Sequence, residues 1–141
     1  MKLYLAMWVR GQQGCNVSAE EMAENKLYAR GTAKILRSMF DENEFAIECP
    51  HENTTLNQID DLWLETKDER YFPIAMDLCF TLLDKCQGII LIHRGYMSEG
   101  MASEKKYAES KGMFVYEAFD LTDEIKEDLV HALNEWMETN G

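Results

Sequence analysis

No run of basic residues occurs anywhere in this chain. Twenty-six acidic residues stand against fourteen basic ones, for a formal net charge of −12. Such a surface repels polyanions, which excludes polymeric DNA or RNA and an anionic membrane as partners. A small anionic ligand, held by one or two arginines and backbone amides, is still compatible with it. The four cysteines, Cys15, Cys49, Cys79 and Cys86, form no CxxC pair and have no metal-type spacing with the three histidines. They read as reduced thiols, and no metal site is expected. No apolar stretch reaches the length of a membrane span. The opening run Met1 to Trp8 is too short for a signal peptide and lacks a cleavage site, so a soluble, cytoplasmic protein is expected. Internal repeats and low-complexity segments are absent as well. What is present is ample core material. Apolar residues make up 46% of the 141-residue chain and aromatics 11%, enough for one domain over residues 1–141 with a single core.

The order of elements follows from hydrophobic patterning and turn chemistry. Lys2 to Val9 is an apolar run followed by Arg10-Gly-Gln-Gln-Gly14, a buried first strand leading into a glycine-containing loop. Ser18-Ala-Glu-Glu21 has the form of a capping box, and the apolar spacing after it predicts a helix to about Phe40. Glu44 to Cys49 reads as a second strand stopped by Pro50. Residues 51–70 are polar, acidic and weakly periodic, and read as a loop or lid with some helix. A helix from Phe72 to Lys85 or Cys86 then precedes Gly88-Ile-Ile-Leu-Ile92, whose continuous apolar character suits a central parallel strand. Ser98 to Lys111 predicts a helix ended by Gly112, and Met113 to Glu117 a fourth strand. Thr122 caps a terminal amphipathic helix. The alternation predicts an α/β three-layer sandwich with a parallel four- or five-stranded sheet, flavodoxin-like or Rossmann-like.

In such a sheet the loops after strands 1 and 3 meet at one crevice. The first loop brings Arg10 and Gly11, where a missing side chain lets backbone amides approach an anion. The loop after the third strand brings Ser98 and Gly100 at a helix start, which favours a phosphate or carboxylate. Glu104, placed near that helix start, and Asp77, set within an apolar helix, supply acidic groups. His93 and Arg94 follow the third strand, where they would either add positive charge at its end or lie in a solvent-facing turn.

These residues carry a resemblance. Ser98-Glu-Gly-Met-Ala-Ser-Glu104 resembles the S-x-G-x-x-x-E element of the nucleoside 2-deoxyribosyltransferase superfamily, which includes deoxynucleoside 5'-monophosphate N-glycosidases. Tyr4-Leu-Ala-Met-Trp-Val-Arg-Gly11 is similar to its opening strand and glycine loop. Met76-Asp77 before the third strand, and Cys49-Pro-His51 after the second, fit the same order. Two departures stand out. Met7-Trp8 occupies the place of a glycine followed by proline or serine, and Gln87 stands where relatives commonly have aspartate.

The resemblance implies cleavage or transfer of the N-glycosidic bond of a 2-deoxynucleoside or its 5'-monophosphate. Glu104 would be the nucleophile, Tyr4 would steady its carboxylate, and Asp77 would contact the sugar or handle the proton of the leaving base. Arg10, Gly11, Ser98 and Gly100 would line the 5' end. Trp8 would stack on the base or fill the pocket, and His51, Trp63 or Tyr71 would recognise the base. No cofactor is implied, and a homodimer is. The alternative is a catalytically silent nucleotide-binding or sequestering protein of the same fold. A receiver-like signalling domain would want an acidic cluster after the first strand, and Met7-Trp8-Val9 lacks one.

Overall fold

A computed structural model describes residues 1–140. The elements are β1 (Lys2–Ala6), α1 (Ala19–Met39), β2 (Ala46–Glu48), α2 (Thr54–Thr66), α3 (Tyr71–Asp84), β3 (Gly88–Ile92), α4 (Glu99–Ser110), β4 (Phe114–Ala118) and α5 (Asp123–Asn140). Short 3-10 segments, Gly11–Asn16 and Pro50–Glu52, follow β1 and β2. The strands form one all-parallel sheet in the order β2-β1-β3-β4. From β1 the chain winds outward to β2 on one side, and from β3 to β4 on the other. The chain therefore reverses its winding between β1 and β3, where α/β sheets hold their ligands at the carboxyl ends of the strands. No helix among the described residues is long and apolar enough to cross a membrane.

Local chemistry explains the boundaries. Ser18 accepts a hydrogen bond from Glu21 N at 3.0 Å while the Glu21 carboxylate accepts from Ser18 N at 3.4 Å, closing the capping box of α1. Ser98 caps α4 by accepting from Met101 N at 3.2 Å. Gly112 ends that helix at φ 69, a conformation glycine adopts without a Cβ penalty. The acidic stretch expected to be a loop with some helix is mostly α2, capped by Asn53 through Leu56 N and ended by Lys67 in the left-handed region.

The pleat of β1 distributes its side chains between two cores. Leu3, Leu5 and Met7 join Ile90 and Ile92 under α1 and α5, against Ala29, Ala33, Leu36, Leu129 and Leu133. Tyr4 and Ala6 join Ile89 and Leu91 under α3 and α4, against Leu82, Leu83, Met101 and Ala108. Helices thus cover both faces, which accounts for β3 being buried at every position. Each buried aliphatic side chain contributes about 1.5–3 kcal/mol relative to exposure. Close packing is strictest at Gly88, where an added Cβ would lie 2.8 Å from Leu3 Cδ2 and 3.0 Å from Phe114 Cβ.

Candidate functional site

At the carboxyl ends of β1 and β3 lies a cavity of about 210 Å³. The structure brings Tyr4, Trp8, Arg10, Gly11, His51, Ser98, Gly100 and Glu104 together in its lining. They arrive from β1 and the turn after it, the segment after β2, and the start of α4.

Glu104 is a carboxylate at the cavity with almost no exposure to water. It occupies the second turn of α4, not the first, because the helix begins at Glu99. Dipole stabilisation fades beyond the first turn, so the helix start does little to keep this group ionised. Burial instead pushes its pKa up to about 7, opposed by the Tyr4 hydroxyl, and no cation contributes. Tyr4 is fully buried, and its own pKa is raised well above the ordinary value by burial and by the nearby Glu104 and Cys79. Its hydroxyl makes no hydrogen bond of normal geometry within the protein, which leaves it available to a ligand or to a shifted Glu104. Burial also raises the Cys79 thiol to about 12, so that side chain is not a nucleophile.

Asp77 departs from its expected place. It is exposed on α3 and does not line the cavity; the helix turns Ala75, Met76 and Cys79 inward instead. An acidic residue next to an inward-facing one is rotated about a quarter turn away. Besides Glu104, two carboxylates line the cavity: Glu99 at the start of α4 and Asp60 on α2. The sequence carried a signal for Asp60. Leu56, Asp60 and Trp63 recur at helical spacing, Leu56 and Trp63 are buried, and Asp60 therefore shares the stripe that packs inward. Lys26 Nζ, from α1, lies 2.8 Å from Asp60 Oδ2. That contact is an ion pair whose angle leaves Oδ2 without a well-formed hydrogen bond.

The glycine loop works differently from expectation. Gly11 sits at φ 66, and an added Cβ would lie 3.1 Å from the Trp8 ring. Its missing side chain makes room for the indole, and the glycine itself lines the cavity. Trp8 Nε1 donates to the His93 carbonyl at 2.8 Å, which holds the ring as part of the cavity wall without closing it. The Met7 side chain packs into the core under α1 and α5. Arg10 is committed to protein partners: its guanidinium lies 3.6 Å from the centre of the Trp63 ring and 3.3 Å from Glu69 Oε2. Trp63 and Tyr71 belong to a separate small core with Val17 and Met22. Neither lines the cavity; Phe72 and Tyr96, which the sequence did not single out, do.

His93 and Arg94 also point elsewhere. His93 Nδ1 accepts from Gly95 N at 2.9 Å, and Arg94 lies 4.0 Å from the Tyr28 ring centre. Gln87 lies at the opposite end of the sheet, where its Oε1 accepts from Lys2 N at 2.6 Å. That bond pins the start of β1, so the departure at this position is structural. Among the described residues no group of three or more His, Cys, Asp or Glu is placed to hold a metal ion.

The site is therefore a half-enclosed slot with aromatic and methionine walls, the buried Glu104 carboxyl, and two further carboxyls, Glu99 on α4 and Asp60 on α2. Its one formally cationic side chain is Arg10, whose guanidinium is already engaged by Glu69 and Trp63. No protein-family model, no curated protein and no solved structure matches the chain.

Proposed function

We propose that the protein cleaves or transfers the N-glycosidic bond of a 2-deoxynucleoside or its 5'-monophosphate, with Glu104 as nucleophile. One observation carries the reading: a buried carboxylate without a cationic partner, beside a buried tyrosine hydroxyl, at the switch point of the sheet. A nucleophilic carboxylate must be ionised and unencumbered. A pKa near 7 leaves a substantial ionised fraction at neutral pH, and the absence of an ion pair leaves its oxygens free to attack.

In the first step a Glu104 oxygen bonds to the anomeric carbon as the bond to the base nitrogen breaks. The base leaves with the bonding pair and takes up a proton from solvent. In the second, water or the nitrogen of another base attacks the same carbon, loses its proton, and releases Glu104. A small shift of the charged carboxylate would let it accept from the Tyr4 hydroxyl, which has no other partner in the protein. Trp8, Phe72 and Tyr96 supply apolar faces for the sugar and base.

Charge favours the uncharged nucleoside over the monophosphate. Asp60, Glu99 and Glu104 line the cavity, while Arg10 is spent on Glu69 and Trp63. A dianionic phosphate would meet repulsion without a free cation to offset it. Incubation with each common 2-deoxynucleoside and its monophosphate, followed by chromatography, tests the reading. Released base is expected, with nucleosides the better substrates, and Glu104→Ala abolishes release while binding persists. The second reading is a silent nucleotide-binding protein, favoured by the Trp8 ring fixed in the wall and by burial that holds Glu104 partly protonated. Tight binding without release from any substrate would establish it in place of the enzyme.

A further inference from the structure

His51 is 3% exposed, and neither ring nitrogen has a hydrogen-bond partner in the protein. An imidazole buried in that state is costly unless something else satisfies it. His51 lines the cavity, so a ligand that draws a ring nitrogen toward it would satisfy the group. Burial, together with the nearby Lys26 and Arg30 charges, lowers its pKa to about 3, and the ring is neutral at physiological pH. A neutral imidazole offers one N–H donor and one acceptor nitrogen.

Asp60 lines the same cavity. It is tied to His51 by a short polar chain. Lys26 Nζ contacts Asp60 Oδ2 at 2.8 Å and donates to Asn57 Oδ1 at 2.8 Å, and Asn57 Nδ2 donates to the His51 carbonyl at 3.0 Å. Lys26 itself is 7% exposed, so this chain is a built, buried support for the two cavity groups. With Lys26 on Oδ2, Asp60 keeps Oδ1 as an acceptor. The wall thus presents an acceptor in Asp60 and, in the tautomer that turns its N–H toward the ligand, a donor in His51.

We propose that His51 and Asp60 read the amidine edge of a nucleobase, the adjacent amino group and unprotonated ring nitrogen that cytosine and adenine share. This selects those bases over uracil and hypoxanthine, and it rests on the nucleoside reading above. The amino group donates to Asp60 and the ring nitrogen accepts from His51. In uracil or hypoxanthine the same edge is a carbonyl beside an N–H. The carbonyl oxygen then faces the Asp60 carboxylate, and the N–H can be met only if His51 changes tautomer. A buried clash of two acceptors, together with that change, rejects a ligand more strongly than the loss of one methylene contact. The His51 hydrogen bond also withdraws charge from the ring as the base departs with the bonding pair.

The test is calorimetric binding and base release for two matched pairs, 2-deoxycytidine with 2-deoxyuridine and 2-deoxyadenosine with 2-deoxyinosine, and binding of the four free bases. The amino-bearing member of each pair is expected to bind about tenfold more tightly or better, the scale of one good bidentate base contact. Asp60→Asn should abolish the preference. Because that variant strands the Lys26 charge and can unfold, His51→Phe, which removes no charge, serves as the second variant and should bring each pair to within about threefold. Preference retained in His51→Phe overturns the assignment. Release of all bases at equal efficiency overturns the base selection and leaves the enzyme standing. Amino-selective binding without release keeps the selection and removes the enzyme. Failure of every nucleoside and base to bind at millimolar concentration overturns the proposal.

Discussion

The two faces of the sheet are built from alternate residues of the same strands, yet they differ in kind. Under α1 and α5, Leu3, Leu5, Met7, Ile90 and Ile92 meet a broad apolar core. Under α3 and α4, Tyr4 and Ala6 share their side with Glu104 and Cys79, and the packing opens into a cavity. The first face is mostly hydrocarbon, its polar members being the Cys49 thiol and the Tyr116 hydroxyl, which donates to Asp128. The second buries a carboxyl, a phenol and a thiol whose pKa values are all shifted upward by burial. Unsatisfied polar groups are expensive, and those of Tyr4, His51 and Asp60 all belong to residues that line the cavity.

That contrast can be broken by substitution. The largest effect is expected where the polar side meets α1: Lys26→Met leaves Asp60 as a buried carboxylate without its cation and should cost about 3–5 kcal/mol in urea unfolding. A double variant that also carries Asp60→Leu should recover much of the loss.

Leu5→Ala, on the apolar face, should cost about 3 kcal/mol through lost burial and a residual void. Ligand affinity should change by less than about threefold. A larger change in affinity than in stability would mean that the two faces are not separable.

Glu104→Gln should act in the opposite direction. A folded-state pKa raised to about 7 means that the neutral acid is the form the fold prefers. This contribution is fully present below the unfolded carboxyl range, near pH 4.5, and is lost as pH rises through 7. Wild-type stability should therefore fall by about 2–3 kcal/mol between pH 5 and pH 8 from this group. His51, whose folded pKa is depressed, works the other way below about pH 6.5, so urea midpoints in the Glu104→Gln variant isolate the carboxyl contribution. At pH 8 the variant should be the more stable protein, and it should be inactive.

The smallest effect on stability belongs to Tyr4→Phe. A hydroxyl without a partner contributes little, so the change should lie within about 1 kcal/mol. Its effect on chemistry should be larger. Removing the group that favours ionised Glu104 raises the pKa further, and the rise of base release with pH should move to higher pH.

Much of this arrangement was legible in the sequence because local chemistry decided it. The Ser18 capping box, the Gly112 stop, the Thr122 cap, which accepts from Ile125 N at 3.2 Å, and the apolar run of β3 each act within a few residues. The pairing of β1 with β3 followed from the alternation of elements, and it brought Tyr4, Arg10, Ser98 and Glu104 to one cavity. What was not legible depended on rotation and on partners distant in sequence. Asp77 faces outward because α3 directs Met76 inward, a phase that one apolar helix does not reveal. Asp60 shares a helical stripe with Leu56 and Trp63, but its partner Lys26 lies thirty-four positions earlier on another helix, and that pairing the stripe does not reveal. Trp63 was expected at the base, and it is instead the platform beneath Arg10. In each of these cases tertiary packing decided the outcome, and composition gave no sign of it.

The most direct measurement is the mass of the protein after rapid acid quenching of a reaction with 2-deoxycytidine or 2-deoxyadenosine. Expected is a fraction of molecules heavier by one deoxyribosyl unit, with the added mass on the peptide containing Glu104, lost in Glu104→Gln. Base released with no adduct on Glu104, or release undiminished in Glu104→Gln, would contradict the assignment of Glu104 as the nucleophile.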